Sequence, residues 1–241
     1  MKQNNLFRQS VALATLWFLF TLQGARGAEG PPAVDSRQTG TVTVLVAYHS
    51  LTGNTEQMAK GVVEGIKRVP GALAVLKKVE EATRQDLVAA DAIVLGGPAY
   101  YGYVPGTMKA VLDDWSWKLK VDFTDKVGGA FATGGGQTGG KEFVVVSLLM
   151  FMINNRMVVA GPLYRNEKTG SVWAEAGATA ITGPLDPGVS ENELDGARRL
   201  GERVAGLARR LKAPAVAGPT DSRERPARTA ESPKSGLEKG K

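Results

Sequence analysis

Residues 50–55 read Ser-Leu-Thr-Gly-Asn-Thr and follow directly on an apolar, β-branched run at 42–48. Ser50, Thr52, Asn54 and Thr55 place four hydroxyl or amide side chains within six residues, around the single glycine Gly53. A helical pattern opens at Asn54. Successive backbone N–H groups around Gly53, at the positive end of that helix, form an anion nest to which the side chains add donors. No Gly-Lys-Ser/Thr is present, so there is neither a lysine for a γ-phosphate nor an evident Mg²⁺ ligand. The strand end also lacks the acidic cluster of a phosphoacceptor domain. A terminal phosphate monoester, such as that of FMN, fits best; the competing reading is a helix capped by Thr and Asn with no ligand.

Two further loops share this character. Residues 98–105 contain Ala99, Tyr100 and Tyr101 between Gly and Pro, and residues 133–140 read Thr133, Gly134, Gly135, Gly136, Gln137, Thr138, Gly139, Gly140. The second of these satisfies G-x-G-x-x-G, but a dinucleotide fingerprint needs an acid at the end of the next strand, where the chain reads Val-Val-Ala-Gly-Pro. Glycine flexibility beside a ligand edge is the better account. All three loops follow strand-like runs, at 42–48, 92–95 and 127–132; further strands are expected at 72–79 and 157–160. Helices are expected at 54–68, 87–90, 105–117 with proline in the first turn, 142–154 and 191–211. Five strands alternating with helices predict an α/β, doubly wound, five-stranded parallel sheet between two helical layers. Ligands of such sheets sit beyond the carboxyl ends of the strands, where the three loops converge.

The chain of 241 residues is 43% hydrophobic, enough for one domain of ordinary core size plus extra segments. Lys2 and Arg8 precede an apolar stretch at 11–22, and Ala25-Arg26-Gly27 offers small residues for a signal peptidase. Residues 1–27 therefore read as a Sec-type export signal, with periplasmic delivery; an uncleaved anchor helix is the second reading, and cleavage leaves no stable membrane insertion. Residues 213–241 are rich in Pro, Ser, Ala, Gly and mixed charge and read as a disordered tail. The formal charge is +6, of which the first 27 residues carry +3 and the tail +2, so the domain at 28–212 is close to neutral. A neutral core is no footprint for nucleic acid. Zero cysteines exclude disulfides and thiol catalysis, and a single histidine, His49, excludes a multi-histidine metal site. No metal is expected, and His49 reads as a strand-end residue with a satisfied ring.

Ser-Leu-Thr-Gly-Asn-Thr resembles the FMN phosphate loop of flavodoxin-like proteins, and later segments narrow the resemblance to the WrbA-type NAD(P)H:quinone oxidoreductases. GGPAYYGYVPGTMKAVLDDW at 96–115 is similar to that family's flavin-ring loop and helix, and FATGGGQTGGKE at 131–142 to its Gly-rich loop. MVVAGPLY, EAGATAITG and ARRLGERVAGLARRL resemble its fifth strand, the small extra segment after it and its closing helix. The resemblance implies a flavodoxin-like fold and a homo-oligomer, dimer or tetramer. It also implies FMN as cofactor, NADPH or NADH as donor, and two-electron reduction of a quinone by a ping-pong route. It assigns residues 50–55 to the phosphate, Thr52 also to a nicotinamide contact, Ala99, Tyr100 and Tyr101 to the isoalloxazine, and residues 133–140 to its other edge. Tyr100, Tyr101 and Trp115 are the aromatic residues expected to wall an apolar slot.

The chain departs from the family at 154–156, where Asn-Asn-Arg replaces a His-His-Gly run with a histidine near the flavin ring. Asn155 is the residue expected there; it can hydrogen-bond but cannot change charge near neutral pH. Two other function classes remain open: an exported one-electron carrier like a flavodoxin, and a flavin-free envelope binding module.

Overall fold

The computed structural model describes residues 40–163, 176–183 and 188–212; the expected export signal and tail lie outside them. Its strands are β1 Val42–Tyr48, β2 Ala72–Lys78, β3 Ala92–Pro98, β4 Val127–Gly134, β5 Val158–Val159 and β6 Ala178–Ile181. The helices are α1 Asn54–Lys67, α2 Arg84–Ala89, α3 Gly106–Trp117, α4 Lys141–Asn154 and α5 Glu191–Lys212. All strand pairs are parallel, in the order β2-β1-β3-β4-β5, with β6 also on β4. The doubly wound sheet follows from its sequence pattern: β1, β3 and β4 are buried along almost their whole length, as apolar central strands must be.

Alternation along β1 sends Val42, Val44, Val46 and Tyr48 to one layer and Leu45 and Ala47 to the other. The first layer is α1 with α5, through Met58, Val62, Ile66, Leu200 and Val204. The second is α2, α3 and α4, through Leu87, Met108, Leu112, Val144, Leu148 and Met152. Helices α1 and α5 touch backbone to backbone. A Cβ on Gly65 would stand 1.8 Å from the Arg198 carbonyl oxygen, and one on Gly201 2.1 Å from that of Val62. Only glycine permits that approach.

The fifth strand differs from expectation. Of residues 157–160 only Val158 and Val159 form β5, opposite Val127 and Gly128; β6 then takes up the same edge of β4, with Ala178 opposite Phe131 and Ile181 opposite Gly134. The segment expected to be an appendage after the fifth strand is thus its second half. Gly161-Pro162 ends the first half, since proline cannot donate to a ladder. Glu193 fastens the second half to α5: its carboxylate accepts the Ile181 N–H at 2.6 Å and the Ser190 N–H at 2.7 Å.

The ends of the described fold lie together at the amino end of the sheet. The Asp91 carboxylate accepts the Thr43 N–H at 2.8 Å and the Lys212 ammonium at 2.9 Å, so the start of β1 and the last residue of α5 share one anchor. No helix among the described residues is long and apolar enough to cross a membrane.

Candidate functional site

The loop at 50–55 turns at Gly53, whose φ of 96° lies in the left-handed region and which serves as the N-cap of α1 without a side-chain cap. The Ser50 hydroxyl accepts the Gly53 N–H at 3.1 Å, and the Thr52 hydroxyl accepts the Asn54 amide at 3.4 Å. In the first turn of α1, the N–H groups of Thr55 and Glu56 meet no acceptor among the described residues, since the first intrahelical bond comes from Gln57 to the Gly53 carbonyl. They are the backbone donors that the sequence reading assigns to an anion. Leu51, 73% exposed, stands on the rim, while Asn54 and Thr55 are turned inward. The Glu56 carboxylate beside this turn is occupied by Lys60 at 2.7 Å, which chiefly holds its pKa below the usual value. Burial raises the pKa of the neighbouring Tyr48 phenol, with the Glu56 charge adding to it.

The loop after β3 is a tight hairpin. Tyr100 and Tyr103 exchange both backbone hydrogen bonds at 3.0 Å, around Tyr101 at φ 52° and Gly102 at φ 84°. Positive φ at both central residues is the signature of a type I′ turn. It holds Tyr101 fully out in solvent and leaves Tyr100 partly covered, with a phenol pKa raised by burial. The loop after β4 leads into α4 through Gly140, at φ 85°. A Cβ on Gly140 would come within 2.4 Å of the Gly102 Cα, so the second and third loops are in direct contact.

Thr133 joins all three. Its hydroxyl lies 2.8 Å from that of Thr55, and its carbonyl accepts the Ala99 N–H at 2.7 Å. At 2% exposure it positions the loops rather than facing their open side. Gly135, Gln137 and Thr138 are exposed, and the Gln137 and Thr138 N–H groups have no acceptor among the described residues. The three loops therefore present donors without acceptors among the described residues on two sides, with Leu51, Tyr100 and Tyr101 exposed beside them. That donor set, with no cation in the first loop, suits a phosphate ester at one end and a flat ring bearing acceptors at the other.

Trp115 does not wall this opening. It is 2% exposed, near the far end of α3, and packs in the layer of Leu112 and Phe123. Asn155 is also apart from the loops within one chain. It caps the carboxyl end of α4, whose 14 residues span roughly 21 Å from the third loop at 1.5 Å per residue. There its side-chain oxygen accepts from the Ser116 hydroxyl at 3.3 Å and its amide donates to the Phe151 carbonyl at 2.8 Å. His49 is held at the strand end by Glu80, 2.5 Å from Nδ1, with little exposure. Among the described residues no group of three His, Asp or Glu is arranged to hold a metal.

Two residues that residue type alone did not single out shape the site. Tyr103, 77% exposed, shares the rim with Tyr101. Lys141, only 5% exposed, lies under the third loop, with its ammonium 2.7 Å from the Gln137 carbonyl. A lysine at the head of a helix, where cations are disfavoured, is the signal for it.

Comparison with known proteins agrees with this fold. The family profile of NADPH-dependent FMN reductases matches residues 70–169. An NAD(P)H dehydrogenase (quinone) of Solidesulfovibrio magneticus is 33% identical over 206 residues, covering 71% of this chain and 100% of that protein. A flavodoxin of Aquifex aeolicus is 35% identical over 162 residues, covering 67% of this chain and 84% of that protein. Among solved structures, a flavodoxin, WrbA-like protein from Agrobacterium tumefaciens superposes with a TM-score of 0.54 at 25% identity, over 71% of this chain and 100% of that one.

Proposed function

This chain belongs to the flavodoxin-like NAD(P)H dehydrogenase (quinone) family, and from that premise we propose that it is an FMN-dependent enzyme passing two electrons from NADPH or NADH to a quinone. The observation that carries the proposal is the joining of three loops at Thr133, with N–H groups that meet no acceptor among the described residues at Thr55 and Glu56 on one side and at Gln137 and Thr138 on the other. The Thr55 and Glu56 N–H groups, at the positive end of α1, would hold the terminal phosphate. Ser50, Thr52 and Gly53 shape that turn, and Leu51, Ala99, Tyr100 and Tyr101 flank the ring. Residues 134–140 face its polar edge. FMN supplies the hydride chemistry when bound; the protein's share is binding, orientation and donors for the charge gained on reduction. No side chain is required as a general acid. Both substrates use one opening, which supports a ping-pong order.

A homo-oligomer is part of the same reading. Helix α4 buries Val144, Leu148 and Met152 on its inner face, yet Phe143, Val146, Met150 and Ile153 are exposed on its outer face. A helix apolar all round is one that something covers. A second copy would do so, and Asn155 would reach a flavin ring only from a neighbouring copy. Export to the periplasm rests on the residues at 1–27. Amino-terminal sequencing of the mature protein tests the signal, and sedimentation of wild type against Met150→Lys tests the assembly.

The deciding experiment is an anaerobic absorbance titration. The full chain takes up FMN, NADPH or NADH bleaches it by two electrons, and a quinone restores it with parallel-line initial-rate kinetics. FMN uptake without bleaching by either nucleotide would favour the electron-carrier reading, which the similarity to the Aquifex flavodoxin supports. Failure to take up FMN would leave only the fold.

A further inference from the structure

The loop at 133–140 has little packing to fix it. Cβ atoms built on Gly135 and Gly136 would meet nothing within 4 Å, and the loop's own backbone contributes a single turn bond, from the Gly139 N–H to the Gly136 carbonyl at 3.2 Å. What does fix it is Lys141, the first residue of α4. Its stem lies against Gly134, where a Cβ would stand 3.3 Å from the Lys141 Cβ. Its ammonium reaches the Gln137 carbonyl at 2.7 Å, the Gly136 carbonyl at 3.4 Å and the Glu142 carboxylate at 2.5 Å. These three acceptors match the three donors of an ammonium.

The two carbonyls determine where their partner N–H groups point. In a planar trans peptide the C=O and N–H are directed oppositely, and the described chain has no cis peptide bond. Drawing the Gly136 and Gln137 carbonyls inward onto the ammonium therefore turns the Gln137 and Thr138 N–H groups outward. Both lie on exposed residues and lack an acceptor among the described residues, as does the Gly135 N–H, but only these two belong to peptides whose carbonyls the ammonium holds. The Glu142 carboxylate offsets the ammonium's charge, so Lys141 acts chiefly by orienting peptides.

We infer that Lys141 is the positioning residue of the third loop, holding the Gln137 and Thr138 N–H groups as a pair of donors for the ring edge that becomes more negative when FMN is reduced. The inference rests on the FMN reading above. Donors held in advance stabilise developing charge without reorganising, which is the most effective form of such stabilisation. Without the ammonium, the flanking glycines let the two peptide planes turn over.

The test compares full-length wild type with Lys141→Met, Lys141→Arg and Glu142→Gln. Lys141→Met should lower the preference for reduced over oxidised FMN about tenfold, read as a fall of about 30 mV in the two-electron midpoint potential. Lys141→Arg should recover most of it, and Glu142→Gln, which keeps both carbonyl contacts but leaves the ammonium's charge uncompensated, should not lower it. Independently of FMN, ¹⁵N relaxation on the apoprotein should show residues 135–139 losing order in Lys141→Met, with order parameters falling toward the range below about 0.6 typical of flexible backbone. If Lys141→Met does not fold, Lys141→Gln, which keeps a donor of shorter reach, takes its place with an intermediate shift expected. An unchanged potential in a variant that still binds FMN overturns the donor role, and unchanged loop order overturns the positioning role. If wild type takes up no FMN, the functional reading fails, while the relaxation comparison still decides whether Lys141 orders the loop.

Discussion

Replacing Gly140 by alanine should separate the second and third loops. Two costs add at this position. The φ of 85° is left-handed, which costs an L-residue about 1–2 kcal/mol. The new methyl would also stand 2.4 Å from the Gly102 Cα, against backbone that cannot swing aside as a side chain can; overpacking of this kind costs about 1–3 kcal/mol. The expected total is about 2–5 kcal/mol, or roughly 4–20 °C in Tm for a domain of this size. Part of the strain can be relieved by lifting the 100–103 hairpin off the head of α4, so FMN affinity should fall at least tenfold. The assay is thermal unfolding together with quenching of FMN fluorescence. Gly135→Ala is the control, because its Cβ meets nothing within 4 Å and its φ is not positive. The reasoning is refuted if Gly140→Ala melts and binds like Gly135→Ala.

Other outcomes are equally open to measurement. Thr133→Val should cost about 1–3 kcal/mol by leaving the buried Thr55 hydroxyl without its partner, and should weaken FMN binding more than Thr52→Val does; equal losses in the two variants would count against Thr133 as the joining residue. Gly65→Ala, whose methyl would meet the Arg198 carbonyl oxygen at 1.8 Å, should force α1 and α5 apart and cost about 1–3 kcal/mol or more of stability, read as a lower urea midpoint. Hydrogen bonds from Lys77, followed by those from Thr83, depress the Asp86 carboxyl to about 2. Its contribution is therefore present above the unfolded value near 4 and lost as the pH falls toward 2. At this partly exposed site it amounts to roughly 1 kcal/mol after screening. Urea unfolding of wild type and Asp86→Asn at pH 5 and pH 2.5 should show a difference at the higher pH that shrinks to about a third at the lower.

The strands and the three loops were legible because each buried strand is a run without a charged side chain that leads into a loop of Gly, Ser, Thr or Pro, a local pattern that survives folding. Register was less so. A strand was expected around Val158–Val159, but Ala178–Ile181 is too short and too distant in sequence to announce itself as its continuation, and only pairing with β4 unites the two. Trp115 was misplaced for a related reason. An aromatic residue two turns beyond a Gly/Pro loop reads as part of that loop's surroundings, whereas α3 runs back along the sheet and carries it to the other end. Asn155 shows the limit of a resemblance, which aligns positions but does not say where they lie: it ends α4, a helix length from the three loops. Lys141 lies within a Gly-rich motif, and its one local sign was a cation at the head of a helix, which does not by itself tell a buried ammonium from a surface one.

The shared anchor at Asp91 has a practical meaning for how this protein can be handled and built upon. Gly40 lies beside Lys212, with the Lys212 Cδ 4.0 Å from a Cβ placed on Gly40, and both sit at the end of β1 opposite the loop that follows it. Seven residues of strand at about 3.3 Å each set that separation near 23 Å. A reporter, affinity tag or electrode linker joined at either end would thus hang from the same side and leave the opening facing bulk solvent. A short bridge from Lys212 to Gly40 would circularise the domain, and new ends could then be cut at an exposed turn of choice.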